Sequence, residues 1–416
     1  MPPKAHQQRF PLSTAQLTCL CGDIKEPGTL LRPSSPTKTF PVGSHMCHCN
    51  SCRYTTGNIT LSCPVLVGPP STESLARCTT YSSSASLFRY FCSRCGCHCF
   101  HQEFNKESQA SNPRSSSNGG AEEPQVGKWY VNAGLIERDP AQVAPQEVWA
   151  TDLVETEYHH HIADTVDGSI VPGLADLDGA EIPLYLGPSS QVQGQQASVD
   201  EIRRLAEHRR DTKPNPDCLK AACQCGGIAF SIRRPNYAMD DQGVPARHIG
   251  HDKTKYPALF CAFRYDRASS GAWFVQPWTY VPPANITFTD ADEDDDQQSR
   301  SAASVTLLEI LAATAHEPPS SRAAANVSSQ LPMTWYRSSR DITRSFCRVC
   351  GATVFYLNDG RPSLANISVG ILRGDEGALA RRWLEWTWGR VVCPESATER
   401  VMLEALMGLG DHMRVL

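Results

Sequence analysis

Phe91-Cys92-Ser93-Arg94-Cys95-Gly96 returns later in the chain as Phe346-Cys347-Arg348-Val349-Cys350-Gly351. Upstream of each stands a C-x-C-G: Cys19-Leu20-Cys21-Gly22 before the first and Cys223-Gln224-Cys225-Gly226 before the second. An aromatic follows each downstream glycine, Phe100 and Phe355, and then a short apolar run containing Gly, Trp129 to Leu135 and Asn366 to Ile371. The same features in the same order mark an internal duplication of a unit of about 170–190 residues, two copies rather than a repeat array.

The other numbers agree with two units. A chain of 416 residues exceeds one compact domain at about 100–200 residues per domain. The expected division is a tail at 1–16, a first domain at 17–185, a linker at 186–216, a second domain at 217–400 and a C-terminal segment at 401–416. Short β-branched and aromatic runs broken by Pro and Gly, such as Leu87 to Phe91, Ile228 to Ile232 and Trp273 to Val281, predict mainly β structure. The linker is rich in Pro, Gly, Ser and Gln. Inside it Ser198 to Arg210 reads as a short helix with a Ser198/Glu201 capping box, docking one domain on the other. Two polar inserts, Glu103 to Lys128 and the acidic Asp290 to Arg300, read as loops, and Thr306 to Ala315 as a short helix.

Eighteen cysteines in a chain of net charge −5 call for an explanation. The N-terminus shows no apolar signal region, and no stretch approaches the roughly 18 apolar residues of a membrane span. A secreted disulfide scaffold is therefore not expected, and the reading is a cytoplasmic protein without membrane attachment. In a reducing compartment clustered Cys are metal ligands or catalytic thiols more often than disulfides. The acidic net charge gives no reason to expect a nucleic-acid partner.

Each C-x-C-G with its C-x-x-C-G offers four thiolates to one ion. Cys19, Cys21, Cys92 and Cys95 form one set, and Cys223, Cys225, Cys347 and Cys350 the other. Four sulfurs suit tetrahedral Zn²⁺ in a closed structural site that contributes folding energy. An iron site and plain buried thiols are the alternatives. Cys47-His48-Cys49-Asn50-Ser51-Cys52-Arg53 is present only in the first copy. Three cysteines at i, i+2 and i+5 can converge on one ion and leave its fourth position open, as a catalytic site requires. Cys97, Cys99, His45 and His48 compete for that position. Aligning Gly57 with Gly271 puts Cys261 opposite Cys47, Phe263 opposite Cys49, Asp266 opposite Cys52 and Arg267 opposite Arg53. The second copy therefore reads as structural or substrate-shaping. His159-His160-His161 reads either as metal ligands or as a strand with polar flanks, and Cys63, Cys78, Cys218 and Cys393 as small buried residues.

These motifs resemble the glutathione-dependent formaldehyde-activating (GFA) family, also called the centromere protein V/GFA family, whose pattern is CxCG, then CHCxxCR with a following Gly, then CxxCG. The first copy matches throughout, the second only at the outer pairs, over about 17 to 170 and 218 to 395. The tandem arrangement with a degenerate second copy is similar to fungal members. The resemblance implies two zinc-stapled, tent-like β domains. It implies a structural zinc on Cys19, Cys21, Cys92 and Cys95 and a catalytic zinc on Cys47, Cys49 and Cys52. With the second four-Cys set, about three Zn²⁺ per chain are expected. It implies carbon–sulfur lyase chemistry with glutathione as co-substrate and a small aldehyde or thioether as partner. Arg53 would then either pair with a glutathione carboxylate or brace its own loop. Duplication also suggests that the copies pair as an intramolecular pseudo-dimer. A non-enzymatic zinc-stapled interaction or thiol-sensing protein is the competing function.

Overall fold

Among the described residues two strand pairs run parallel while the other ladders are antiparallel, and the two pairs occupy matching places. Val154–His160 lies parallel to Val42–Cys47, and Leu384–Val392 lies parallel to Tyr256–Cys261; each pair has one register shift. Parallel neighbours need a long crossover, and each crossover here contains four strands of its half, between Cys78 and Val131 in one and between Met333 and Ser368 in the other. A computed structural model describes residues 12–31, 42–104, 127–137, 153–188, 196–208, 217–237, 243–288, 304–314 and 330–412. The insert at 290–300 and most of 103–128 fall outside them.

The described chain is mainly β, as the short β-branched runs predict. The first half contributes an eight-stranded sheet. Its outer strands Cys78–Ser84, Leu87–Cys92, His98–Glu103 and Lys128–Val131 follow one another as a meander. The second half repeats the meander in a seven-stranded sheet, as Met333–Ser339, Ile342–Cys347, Thr353–Asn358 and Ala365–Ser368. After each inner strand comes a two-turn helix, Asn50–Thr56 or Arg264–Ser270, ended by a left-handed glycine, Gly57 at φ 81° and Gly271 at φ 71°. A Cβ would strain that backbone, so the glycine fixes where the helix stops.

The halves meet through reciprocal contacts. Gly134 N–H donates to Gly271 O at 3.2 Å, and its counterpart Gly370 N–H donates to Gly57 O at 3.0 Å. Phe91 and Phe346 meet edge to face at 6.3 Å. Each of these rings covers the glycine of the other half's C-x-x-C-G motif: a Cβ at Gly96 would lie 2.3 Å from Phe346 Cγ, and one at Gly351 2.7 Å from Phe91 Cγ. One hydrophobic cluster runs through both halves and includes Phe100, Val131 and Leu135 with Trp273, Phe355 and Val369.

Two helices depart from the expected plan. Val199–His208 forms with the expected cap, Glu201 N–H donating to Ser198 Oγ at 3.2 Å and Ser198 N–H to Glu201 Oε2 at 2.9 Å. Its buried Ile202, however, packs into Ile162, Val171, Ala175 and Leu184 of the first half and does not bridge the halves. The bridge is Arg400–His412, a helix in the supposed C-terminal tail, which rests on Leu384–Val392 and buries Leu409 against Gly173. Just before it, buried Glu399 Oε1 accepts from Leu153 N–H at 2.8 Å and from the Trp273 indole N–H at 2.7 Å, joining both halves. The Leu307–Thr314 helix is present, capped by Thr306 and Glu309. No helix among the described residues is long and apolar enough to cross a membrane.

Candidate metal centres

The turns of the outer motifs bring eight thiols into two groups of four. Cys19, Cys21, Cys92 and Cys95 place their sulfurs within 4.8 Å of one another, as do Cys223, Cys225, Cys347 and Cys350. The closest edges are 3.6 Å for Cys19–Cys21 and Cys21–Cys92, and 3.5 Å for Cys223–Cys225 and Cys225–Cys347. Four sulfurs bound tetrahedrally at about 2.3 Å lie roughly 3.8 Å apart, so the donor set fits Zn²⁺. Backbone N–H groups point at sulfur in both groups, Ile24 to Cys19 Sγ and Ile228 to Cys223 Sγ, each at 3.3 Å. Contacts from the Cys21, Cys92 and Cys95 thiols hold Cys19 well below the ordinary thiol range; those from Cys223, Cys347 and Cys350 do so for Cys225. Cys21, Cys223 and Cys350 are pushed up by the same neighbouring thiols and Cys95 by burial, so a bound cation is what would let all four sulfurs of a group be thiolates.

A third group forms where the Val42–Cys47 strand gives way to the helix Asn50–Thr56. Cys47, Cys49 and Cys52 bring three sulfurs within 4.8 Å, and no fourth Cys, His, Asp or Glu among the described residues joins them. Cys49 is the helix N-cap, its Sγ accepting from Cys52 N–H at 3.3 Å. The three differ electrically. The Cys49 and Cys52 thiols push Cys47 up, while contacts from Cys47 and Cys49, with the charge of Arg89 behind them, pull Cys52 well down.

Arg89 is the residue that motif spacing did not reveal. It is almost wholly buried on Leu87–Cys92, and its Nη2–H donates to Cys52 Sγ at 3.2 Å. Its Nη1–H donates to His101 Nε2 at 3.2 Å, which fixes the His101 proton on Nδ1, facing Cys63 Sγ at 3.4 Å. Cys63 in turn donates to Asn132 Oδ1 at 3.3 Å. Cys63 is therefore a member of this network as well as a small buried residue. The signal for Arg89 was in the repeat: an arginine stands three residues before both C-x-x-C motifs, Arg89 and Arg344.

In the second half the matching arginine meets a carboxylate. Arg344 Nη2–H donates to Asp266 Oδ1, and both side chains are buried. Cys261 keeps the place of Cys47, its thiol pushed up by burial and by Asp266. Phe263 is exposed where Cys49 would be. Cys78, Cys218 and Cys393 are partly exposed, unlike the buried filler expected of them.

The remaining candidates fall into place. Arg53 is buried, 3% exposed, with Nη1–H on Asn50 Oδ1 at 3.2 Å and its guanidinium 5.2 Å from the Tyr54 ring centre. Of its two readings this supports the brace. Arg267, its counterpart, is likewise internal, with Nε–H on Ala262 O at 2.8 Å. His48 turns to His159 at 2.9 Å, and His159 Nε2–H donates to Leu174 O at 3.2 Å, so His48 is the donor of the pair. Burial lowers both, His159 to about 4, and keeps them neutral. Cys97 and Cys99 are buried in the core. The His159–His161 run is the end of a strand: His160 lies opposite Cys47, with its ring 4.5 Å from that of His45. His161 turns out at φ 56°. No histidine among the described residues joins the three-thiol group.

Comparison with protein-family models, curated proteins and solved structures gave no match.

Proposed function

We propose that the chain is a zinc-dependent carbon–sulfur lyase that forms or cleaves a glutathione hemithioacetal, with formaldehyde as the simplest aldehyde partner. Catalysis belongs to the first half. The observation that carries the reading is the three-thiol group Cys47, Cys49 and Cys52, which among the described residues has no fourth protein ligand, beside two complete four-thiol groups. Complete groups suit structural ions; a three-ligand group leaves a position for substrate. A zinc ion bound there supplies positive charge that favours the thiolate form of an entering thiol, whose ordinary pKa is about 8.5.

The chain's residues set up that position. Cys49 lies partly exposed at the surface end of the group, while Cys47 and Cys52 are buried behind it. Arg89 holds Cys52 as the anion and His101 holds Arg89. In the reaction the sulfur of glutathione bonds to the carbonyl carbon, and the thiol proton ends on the former carbonyl oxygen as a hydroxyl. Held side by side, the two reactants gain from proximity. The two four-thiol groups and the shared core hold the loop, and the second half, with Asp266 and Phe263 in place of two thiols, does not provide a second such centre.

The test is exchange NMR of glutathione with formaldehyde at equilibrium, because the uncatalysed addition is itself facile. Exchange faster with the protein than with a folded Cys49→Ala variant supports the reading. Equal exchange with both removes formaldehyde as the substrate.

A further inference from the structure

The row of residues that backs the three-thiol group has a counterpart in the second half whose chemistry is different. In the first half Arg89 pairs across the sheet with His101, and His101 with Tyr130. In the second Arg344 pairs with Tyr356, Tyr356 with Asn366, and Asn366 with Tyr280. Directly opposed residues on neighbouring strands share one face of a sheet. That face is the one toward Asp266, because Arg344 reaches it.

Two arginines and an imidazole gather on this row. Arg361 places its guanidinium 5.2 Å from the Tyr280 ring centre and 5.5 Å from that of Tyr356, and the His248 ring lies 4.9 Å from Tyr280. Asp266 neutralises Arg344, but among the described residues no carboxylate pairs with Arg361 or His248. The crowding is felt by His248, held below its ordinary pKa by burial and then by Arg361 and Arg247. Polar atoms on the same row are buried without a partner: Arg344 Nη1 and Arg361 Nη1, which are donors, and Asn366 Oδ1, an acceptor. A buried polar group left without a partner costs about 1–3 kcal/mol, so three around one tyrosine ask for a ligand.

We propose that this row is a binding site for a small organic carboxylate that also carries an N–H. The carboxylate would take the free guanidinium N–H groups, a pairing that arginine geometry favours. Asn366 Oδ1 would take the N–H, and Tyr280 and Tyr356 would cover the apolar body. The site needs no metal, since Asp266 and Phe263 have replaced two of the three thiols. It is independent of the chemistry assigned to the first half.

The test uses hippurate, a carboxylate with an amide N–H and an aromatic ring, in ligand-observed saturation-transfer NMR with the full zinc-loaded chain. Its uncharged amide, hippuramide, and inorganic phosphate are the comparison probes. Hippurate binds and hippuramide does not, and Arg361→Gln weakens hippurate by about tenfold or more, the cost of a charge-assisted contact. Asn366→Leu is the second variant should Arg361→Gln fail to fold; it removes the acceptor for the ligand N–H and weakens hippurate in the same direction. Equal transfer to hippurate and hippuramide overturns the proposal, as does wild-type affinity in a folded variant. Binding of phosphate without hippurate overturns the carboxylate assignment.

Discussion

Arg344 donates to Asp266 at the place where Arg89 donates to Cys52 Sγ at 3.2 Å. The two arginines stand at the same offset before the C-x-x-C motifs, and the two acceptors at the same offset before a helix-ending glycine. What the halves share at this position is a buried cation with an anion on it. A cysteine sulfur serves in one half and a carboxylate in the other, so the second half keeps its arginine paired without the three-thiol loop.

That relationship makes the carboxylate essential to folding. Asp266→Asn leaves Arg344 charged and buried, and removal of one partner from a buried pair costs about 3–5 kcal/mol. Arg344→Met alone is comparably harmful, whereas Asp266→Asn with Arg344→Met recovers at least half of the loss. Denaturant unfolding of the four proteins in a double-mutant cycle checks this. Additive losses would show that the pair is not coupled.

In the first half the same arginine acts on a metal ligand. Arg89→Gln removes the charge behind Cys52 and weakens metal retention at the three-thiol group by about 10–100-fold, the usual effect of an outer partner. The two four-thiol groups are unaffected, because Arg89 touches neither. Metal transfer to a chromogenic chelator separates the fast site from the slow ones, and unchanged transfer from all three would refute the role given to Arg89.

The stoichiometry follows from the sulfur geometry. Purified protein should hold three Zn²⁺, two of them slow to exchange, as three thiol groups imply. Cys49→Ala should hold two and stay folded. Elemental analysis after dialysis decides it; two ions in the parent protein would leave the Cys47, Cys49 and Cys52 group without a metal.

The outer thiol groups were legible because ligand spacing is local: two Cys around a turn, followed by the glycine that makes the turn. The three-thiol loop was legible for the same reason. Arg89, His101 and Cys63 were not, since strand register brings them together and register is set by the whole sheet. The helix Arg400–His412 was legible in principle, because buried Met402, Leu403, Leu406 and Leu409 recur at helical spacing. Gly408 and Gly410, each about 1 kcal/mol worse than Ala in a helix, obscured it. The reciprocal glycine contacts have no local signature, because each glycine serves the other half.

Those contacts predict that the halves unfold together. A Cβ at Gly134 would meet Ala272 O at 2.2 Å, and one at Gly370 would meet Asn58 O at 2.4 Å. Backbone cannot yield as a flexible side chain does, so Gly134→Ala and Gly370→Ala each destabilise by about 1–3 kcal/mol or more. Because one core spans both halves, the transition should remain single. Separate transitions for the two halves, followed by fluorescence and circular dichroism, would show that the shared core does not couple them.

The second half's thiol group should also matter to the first half's site. Gln224 N–H, between Cys223 and Cys225, donates to Tyr54 O at 3.0 Å, on the helix that carries Cys52. Arg373 adds to the link: its Nη2–H donates to Ala222 O at 3.0 Å and Cys223 O at 3.3 Å, and its guanidinium lies 3.1 Å from the Tyr54 ring centre. Cys223→Ser, which opens the four-thiol group, should therefore loosen the helix and speed metal release from Cys47, Cys49 and Cys52 as well. Arg373→Gln keeps all four thiols but cuts the link, so it should reproduce the effect on the first-half site while the second-half ion stays slow to exchange. If Cys223→Ser releases only its own ion and Arg373→Gln changes neither rate, the two centres are held by one core but are not coupled through Tyr54.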